Sequence, residues 1–482
     1  MSTYSSNLLK RLLLGTMLLG SISACEVITQ DPPIALTPDQ AFGDADRIGK
    51  SAVGMYDGLQ NLEFLGGRAL IYGDVRSDDT ALSPYFNTVA DPAALLANNA
   101  YARDAWTGGY RTIFGVNYFL DRLAENTGKT TAALEAQYIA EGKYIRALTY
   151  FHLLNLYAQP YNFTANASHP GLPMPLKASA DVVQAFAPEQ QLARSSVAEV
   201  YTQIIKDLTE SIAGLPETST DDFARVGRAT KDASRALLSR VYLYQGNYTA
   251  AAASAAEIIN GGRHSLEASP ATPFTDGSYN SNTESIFSVA HNTADNPNTN
   301  NALGQHYGPD NRADIWVTPY ARIDASLFPA TDLRRTELLT SEGNIPAATE
   351  RVYTLKYSNS SFDYAPISRY AEVLLNRAEA LAQLDAGVSG DAITLLNQVR
   401  DRSNPTAAPA YAATDFADKQ ALIDAILLER RLELAFEGHR YYDLLRYRRN
   451  PPRVNYGEDK AVFPIPLIDL QQDPNLVPNP GY

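Results

Sequence analysis

The sequence predicts a predominantly α-helical protein, a scaffold of tetratricopeptide-like helical repeats with long irregular loops that carry the ligand site. Four stretches repeat apolar residues at intervals of three and four, which is the spacing of one face of a helix. In two of these stretches a short turn separates one helix from the next. Such helix-turn-helix units bury their apolar faces only by stacking on one another, so we expect a stack of helix pairs.

The predicted helices fall into pairs along the chain. Repeat-like pairs are expected at about 134–157, 197–260 and 368–402, and a further pair of C-terminal helices at 419–448. The turn Gln245-Gly246-Asn247-Tyr248 divides the second of these stretches, because glycine and asparagine favour helix ends. The turn between the two helices indicates a repeat of helix pairs rather than a single long helix.

Long aperiodic stretches separate the predicted helices, at residues 74–107, 159–190 and 264–331. Segments of this length in a compact domain are usually functional or disordered. Their many aromatic residues argue against disorder, since disordered segments are poor in aromatic side chains. The loops are therefore predicted to be ordered and to carry the ligand site.

The N-terminus has the pattern of an exported protein. Lys10 and Arg11 precede the apolar run Leu12–Gly20, and the small residues Ser21-Ile22-Ser23-Ala24 follow. The apolar run is far shorter than the ~20 residues that span a bilayer. The next residue, Cys25, is the only cysteine of the chain, and its position resembles the lipobox of bacterial lipoproteins, where the sulfur receives a diacylglyceryl group.

Three segments are expected from this pattern. Residues 1–24 are predicted to be a lipoprotein signal peptide and residues 25–36 a lipidated tether that begins at Cys25. Residues 37–482 are expected to form a single α-helical domain. The protein is thus predicted to be anchored to a membrane by lipid rather than threaded through it.

The net charge and the motifs that are absent from the sequence disfavour several classes of function. Without the signal peptide the chain carries 38 basic and 54 acidic residues, a net charge of −16, which disfavours a nucleic-acid partner. No P-loop, G-x-S-x-G, G-x-G-x-x-G or HExxH motif is present, so no enzyme, cofactor or metal site is predicted. A surface glycoside hydrolase stays open as an alternative, because the two carboxylates of such enzymes leave no short motif.

The only two tryptophans are the main candidates for ligand binding. Trp106 has Tyr101 nearby, and Trp316 lies between Tyr307 and Tyr320, all in polar segments. A sugar ring lies flat on an aromatic face while its hydroxyl groups need polar neighbours. We therefore predict that these five aromatic residues form a carbohydrate platform.

Two groups of charged residues are interpreted differently. Arg76 and Asp78 are predicted to bind sugar hydroxyl groups, whereas the adjacent pair Asp78-Asp79 is a poor acid–base pair because consecutive side chains of a strand point to opposite faces. The Glu- and Arg-rich run at 429–446 is predicted to be structural, a network of salt bridges that joins helices.

The C-terminal part of the chain resembles the SusD/RagB family. The resemblance is carried by LLERRLELAFEGHRYYDLLR at Leu427–Arg446, by YAEVLLNRAEA at Tyr370–Ala380, by FPIP at Phe463–Pro466 and by the ending Asn479–Tyr482. With the lipobox, these motifs occur in the family's order along essentially the whole chain. The central stretch is divergent.

The resemblance implies a location and a function. Members of the family are surface lipoproteins of the Bacteroidetes outer membrane that cap a SusC-like, TonB-dependent β-barrel transporter, capture a glycan and deliver it inward. It therefore implies a glycan-binding lipoprotein that faces the exterior, with that transporter as its partner. Some members bind peptides, and a peptide ligand is the alternative within the family.

Overall fold

The computed structural model describes residues 37–179, 187, 191–219, 221–341, 350–359, 361–404 and 410–482. The predicted signal peptide and the tether with Cys25 lie outside the described residues. No helix in the described ranges combines the length and the apolar character that a membrane span needs.

Helices make up most of the described chain, which confirms the predicted fold class. The helices are α1 Pro38–Ala41, α2 Ala45–Asp57, α3 Arg68–Val75, α4 Asn87–Ala90, α5 Ala100–Glu125, α6 Ala132–Tyr157, α7 Val197–Gly214, α8 Asp222–Gly227, α9 Lys231–Gln245, α10 Tyr248–Gly261, α11 Asn298–Asn301, α12 Leu303–Tyr307, α13 Thr318–Ala321, α14 Leu333–Thr336, α15 Tyr370–Leu384, α16 Gly390–Ser403, α17 Lys419–Glu433, α18 Arg440–Arg446 and α19 Leu467–Gln472. The strands are β1 Ala81–Leu82, β2 Ser285–Val289, β3 Ile315–Trp316, β4 Leu339–Ser341, β5 Val352–Thr354 and β6 Ala365–Arg369.

Polar side chains at the helix ends explain why the long helices begin and end where they do. The hydroxyl of Thr131 accepts a hydrogen bond from the third backbone N–H of α6, and Ser196 and Glu199 form a reciprocal capping box at the start of α7. Between α9 and α10, Gly246 adopts a left-handed conformation with φ of 78°, and the Asn247 side chain then caps α10. The predicted turn at this point is therefore confirmed.

The long helices stack side by side. Helix α5 packs on α6, α6 on α7, α7 on α9, α9 on α10 and α10 on α15, which in turn contacts α16 and α17. One main cluster of buried apolar side chains runs through this stack, from Phe42 near the N-terminus to Ile465 near the C-terminus. The predicted stacking of helix pairs is confirmed.

Helix α5 lies in a part of the chain for which the sequence analysis predicts no helix. It begins at Ala100, inside the segment 74–107 that the sequence predicts to be a loop, so Tyr101 and Trp106 lie on a helix. Three glycines within α5 lower its intrinsic helix propensity, which explains why the pattern is weak. Packing explains two of them: a Cβ atom on Gly109 would lie 2.6 Å from the Leu153 side chain of α6, and one on Gly108 would lie 2.4 Å from Oδ1 of Asn61.

Short antiparallel ribbons connect distant parts of the chain. In the ribbon of β1 and β3, Ala81 lies opposite Trp316 and Leu82 opposite Ile315. The pair β2 and β6 is buried along its length, and β4 pairs with β5. The first ribbon brings two of the predicted loop segments together and positions the site described below.

The charged run of the C-terminal helices forms buried ion pairs, as predicted. Arg334 lies 2.5 Å from Glu429, and Arg402 lies 2.6 Å from Glu433, which also faces Arg369 at 3.3 Å. Burial alone would raise the pKa of Glu433, but the surrounding arginines outweigh it and hold that pKa far below its usual range. These pairs join α14, α16 and α17 to β6.

Candidate ligand-binding site

The half-buried ring of Tyr85 is the centre of an aromatic and cationic surface beside the β1–β3 ribbon. The Arg312 guanidinium carbon lies 4.5 Å from the Tyr85 ring centroid, within cation–π range. Arg68 donates a 2.8 Å hydrogen bond from Nη2 to the Tyr85 hydroxyl. We call Arg68, Tyr85, Tyr101, Arg312 and Asp314 the Tyr85 cluster.

A short turn after β1 fixes the position of Tyr85. Pro84 starts the 3-10 helix Pro84–Phe86, where its fixed φ and missing N–H are tolerated. The Ser83 hydroxyl accepts a hydrogen bond from the Tyr85 N–H at 3.3 Å and donates one to Oδ1 of Asp314 at 3.0 Å. The serine thus ties the turn that carries Tyr85 to the segment that carries Arg312.

Asp314 holds Arg312 in place over the ring. Its Oδ2 accepts a 2.8 Å hydrogen bond from Arg312 Nε and lies 3.0 Å from His306 Nδ1. Burial alone would raise the pKa of Asp314, but hydrogen bonds from His306, Arg312 and Ser83 outweigh it and lower that pKa to about 2. Arg312 Nη1 also donates to Oδ1 of the exposed Asn300 at 3.0 Å.

Tyr101 extends the aromatic surface from helix α5. The Arg68 guanidinium carbon lies 4.8 Å from its ring centroid, and its hydroxyl donates a 3.3 Å hydrogen bond to the Tyr85 carbonyl. Burial raises the pKa of Tyr101 to about 12, so the phenol keeps its proton at neutral pH. Arg68 is held in turn by Glu63, with 2.5 Å between Nη1 and Oε2.

Trp316 lies on β3 rather than on a loop. Its half-buried indole has the guanidinium carbon of the exposed Arg351 at 4.4 Å from the ring centroid. Because Trp316 pairs with Ala81, it belongs to the same ribbon that leads into the Tyr85 turn. The surface therefore offers aromatic rings bordered by guanidinium and amide groups.

Two of the predicted platform residues are part of the core. Tyr307 is fully buried and its hydroxyl donates to Asp74 at 2.7 Å, while Tyr320 is 2% exposed and its hydroxyl donates to the Leu432 carbonyl at 2.8 Å. Both rings pack near Phe436. The expectation that they contact ligand is corrected, because neither presents a ring face or a free hydroxyl hydrogen to solvent.

Trp106 also serves packing. It is 4% exposed, and its ring centroid lies 4.9 Å from that of Tyr157 and 4.6 Å from that of Tyr110. It forms one wall of a cavity of about 410 Å³. The expected role of Trp106 as a stacking platform is corrected on the same ground, since neighbouring rings cover it.

Arg76 and Asp78 both bind the C-terminal part of the chain. Arg76 is 5% exposed, donates to the Lys460 carbonyl at 2.8 Å and lies 4.5 Å from the Tyr441 ring centroid. Both carboxylate oxygens of Asp78 accept from Arg440, at 2.7 and 2.8 Å. The expected contact of Arg76 with sugar hydroxyl groups is corrected, because its guanidinium is buried, whereas that of Asp78, whose side chain is 32% exposed, stays a prediction.

The structure thus brings Tyr101 into the Tyr85 cluster and Trp316 onto the adjoining ribbon, and separates the other candidates from them. Sequence reasoning missed Arg68 and Asn300, which are 232 residues apart yet joined by a 2.8 Å hydrogen bond from Arg68 to the Asn300 carbonyl. Neither lies in a motif. The aromatic character of Tyr85 and of the predicted Tyr101, both in a polar segment, was the local signal for the cluster.

Known families and proteins resemble this chain over almost all of its length. Residues 53–243 match the family model described as starch-binding associating with outer membrane, and residues 348–461 match the model of the SusD family. The SusD-like proteins P25 and P38 of Formosa agariphila are each 24% identical to it. The first alignment covers 98% of this chain and 99% of the relative, and the second 96% and 97%.

Solved structures share the fold. A SusD superfamily protein from Bacteroides fragilis is 26% identical, with a TM-score of 0.77 over 90% of this chain and 99% of that one. One from Bacteroides vulgatus is 24% identical, with a TM-score of 0.78 over 91% and 99%. A laminarin-binding SusD-like protein is 24% identical, with a TM-score of 0.73 over 91% of this chain and 100% of that one. This chain is a SusD-like protein of the SusD/RagB family.

Proposed function

We propose that this SusD-like protein captures an oligosaccharide at the cell surface and passes it to a SusC-like, TonB-dependent transporter in the outer membrane. The observation that carries the proposal is the Tyr85 ring, half-buried and covered on one side by the Arg312 guanidinium. A family model described as starch-binding and a laminarin-binding structural neighbour support the choice of glycan as the ligand class.

The chemistry of the cluster suits a sugar. The C–H groups of a pyranose ring pack on the faces of Tyr85 and Trp316, while Arg312 and Asn300 supply hydrogen-bond partners for its hydroxyl groups. Each aromatic contact contributes about 0.5–1.5 kcal/mol. One ring therefore binds weakly, and we expect affinity to rise with oligosaccharide length until every ring is occupied.

The N-terminal segments complete the proposal. Residues 1–24 would be removed as a signal peptide, Cys25 would carry the lipid, and 25–36 would tether residues 37–482 as one domain outside the cell. Lipid chains bind a bilayer by about 0.8 kcal/mol per buried methylene, so two or more chains anchor a protein stably. A mass spectrum with unmodified Cys25, or protein recovered free in the medium, would contradict this arrangement.

Binding without catalysis is the activity that the cluster supports. A glycoside hydrolase needs one carboxylic acid that holds its proton near neutral pH. Asp314 is the opposite case, because its partners lower its pKa to about 2. The other nearby carboxylate, Glu63, is engaged by Arg68 at 2.5 Å. Release of new reducing ends from a polysaccharide would favour an enzyme instead.

A binding screen tests the proposal. The purified protein is offered to glycan and peptide arrays, and each hit is measured by calorimetry on the wild type and on Tyr85→Ala and Arg312→Ala. We expect a glycan hit whose affinity falls in both variants. Phe163→Ala is the matched control, since this aromatic residue is 37% exposed and lies outside the cluster. Binding of peptides alone, or equal affinity in all four proteins, would contradict the proposal.

A further inference from the structure

A cavity of about 650 Å³ lies between α2, α5 and the segment 291–296. None of the residues that line it belongs to the Tyr85 cluster. Its volume is within the range of pockets that bind small molecules. The cavity is therefore a separate feature of the molecule that the proposed function does not use.

Two glycines in the walls of this cavity have no packing reason to be glycine. Gly54 lies within α2 and Gly115 in the middle of α5. A Cβ atom on either would meet no atom within 4 Å in the described part of the chain. Glycine is the least favourable helix residue after proline, and alanine would fit at both positions. Both positions instead leave open space that faces the same cavity.

Other glycines of the same walls show the contrast. A Cβ atom on Gly108 would lie 2.4 Å from Oδ1 of Asn61, and one on Gly58 would lie 3.0 Å from the Thr112 methyl group. Gly58 and Gly108 are therefore explained by the close approach of α5 to the end of α2 and to the segment that follows α2. No such contact explains Gly54 or Gly115, so their common property is the space they leave.

The cavity also presents charged groups without partners. Asp57 on α2 and Arg111 on α5 are both exposed, and neither side chain makes an ion pair or hydrogen bond with the residues that the structure describes. The side chains of Gln60, Asn61 and Asn296 also belong to the lining. The NH2 groups of Gln60 and Asn296 donate within the protein, so Gln60 Oε1 and the Asn61 NH2 group are the free ends among the described residues. Donors and acceptors thus face the same space from several sides.

His291 contributes a buried ring to the wall of the cavity. The residue is 4% exposed, and its Nε2 lies 2.9 Å from the Gly66 carbonyl, which only accepts, so Nε2 carries the proton and donates it. In the neutral ring Nδ1 is then an acceptor, and it is buried without a partner among the described residues. Burial lowers the pKa of His291 to about 4, which keeps the ring neutral at neutral pH. This nitrogen has almost no accessible surface, so His291 shapes the wall without contacting a ligand in the cavity.

We infer that this cavity is a second binding site, separate from the Tyr85 cluster, for a saccharide unit. Hydroxyl groups both donate and accept, which matches a lining of Asp57, Arg111 and side-chain amides, and Tyr118 supplies an aromatic wall. The charged lining disfavours a lipid. An anionic ligand is disfavoured because Asp57 and Asp295 face it with Arg111 as the cation among the lining residues. The inference rests on the proposed function only for the class of ligand.

Hydrogen–deuterium exchange of the lipidated protein in detergent locates both sites at once. The probes are maltohexaose, laminarihexaose and xylohexaose at millimolar concentration. We expect at least one probe to slow exchange in residues 54–62 and 111–118, apart from any protection in 82–101. Gly115→Leu fills the cavity, so it should abolish the first protection and weaken binding there at least tenfold, with a melting temperature that is unchanged or higher.

Two further variants separate the possible results. Gly390→Leu is the matched control, because Gly390 begins a helix and also has nothing within 4 Å of an added Cβ among the described residues. Tyr85→Ala should remove protection of 82–101 and leave 54–62 protected. If the wild type shows protection of 54–62 but none of 82–101, that result counts against the proposed function and not against the cavity. Protection of 54–62 that survives Gly115→Leu would overturn the inference, as would no protection there by any probe.

Discussion

The hydroxyl of Tyr307 donates a 2.7 Å hydrogen bond to Oδ2 of Asp74, and both side chains are buried. The Gly438 N–H donates to the other carboxylate oxygen at 3.1 Å. Burial raises the pKa of Asp74 from 3.8 to about 8, and these two hydrogen bonds offset only part of that rise. A carboxyl group that keeps its proton thus joins α3 to the C-terminal helices.

This carboxyl group predicts a pH dependence of stability. The folded protein retains a proton that the unfolded chain releases, so the contribution is complete below pH 3.8 and is lost as the pH rises through about 8. Asp74→Asn mimics the protonated acid, and we expect it to exceed the wild type in free energy of unfolding by about 1–3 kcal/mol at pH 9 and to match it at low pH.

Urea unfolding at pH 4 and pH 9 measures this difference. The exposed Asp310→Asn serves as the control and should show none. A deficit of Asp74→Asn at pH 9 would mean that the carboxylate is stabilised as an anion.

Arg402 is expected to be essential for the buried ion pairs. It faces Glu433 at 2.6 Å and Glu284 at 3.1 Å, and all three side chains are nearly inaccessible. Arg402→Met leaves both acids short of a partner and should cost about 3–5 kcal/mol in denaturant unfolding. In the control, Arg449→Met breaks the exposed pair with Asp424 and should cost under about 1 kcal/mol. Equal costs would refute the distinction between buried and exposed pairs.

Two glycines of α5 should respond in opposite directions to alanine. Gly109→Ala places a methyl group 2.6 Å from Leu153, and such overpacking costs about 1–3 kcal/mol. Gly115→Ala meets nothing within 4 Å among the described residues and should stabilise the helix by about 0.5–1 kcal/mol. Thermal unfolding of the two variants beside the wild type gives the signs, and the same sign for both would contradict the packing of α5 on α6.

Trp316 offers a test of the proposed glycan surface from the ribbon side. Trp316→Ala removes an aromatic face but no buried core contact, so the circular dichroism spectrum should not change. Removing this aromatic contact should cost about 0.5–1.5 kcal/mol of binding free energy, which corresponds to roughly two- to tenfold weaker binding of the glycan found in the screen. Arg351→Ala, which removes only the cation near the ring, should have a smaller effect. Unchanged affinity in calorimetry would exclude Trp316 from the site.

The sequence predicts the repeat helices well because their signals are local. Apolar spacing and the Gly246-Asn247 turn lie within a few residues of each other, and the structure has α9 and α10 on either side of that turn. Helix α5 was not predicted because its glycines weaken the helical pattern. Gly109 is explained by its contact with Leu153 of another helix, and that contact is not visible in the local sequence.

The candidate site was less predictable for the same physical reason. Tyr307 was expected to face ligand because its neighbours in sequence are polar, yet its partner Asp74 is 233 residues away and both are buried. Tyr101 was predicted, but Arg68, which covers its ring, carries no local signal. Residue type indicates what a side chain is able to bind, whereas burial and partners depend on segments that meet only in the folded chain.

The Ser83–Asp314 hydrogen bond spans 231 residues, and the ribbon beside it has two residues in each strand. So small a ribbon has little stability of its own, and closing so long a loop carries an entropic cost. We therefore expect Tyr85 and Arg312 to meet only after the helical stack between them has docked. Under the proposed function, sugar binding would therefore depend on completion of the helical stack, and an incompletely folded copy would not bind its sugar.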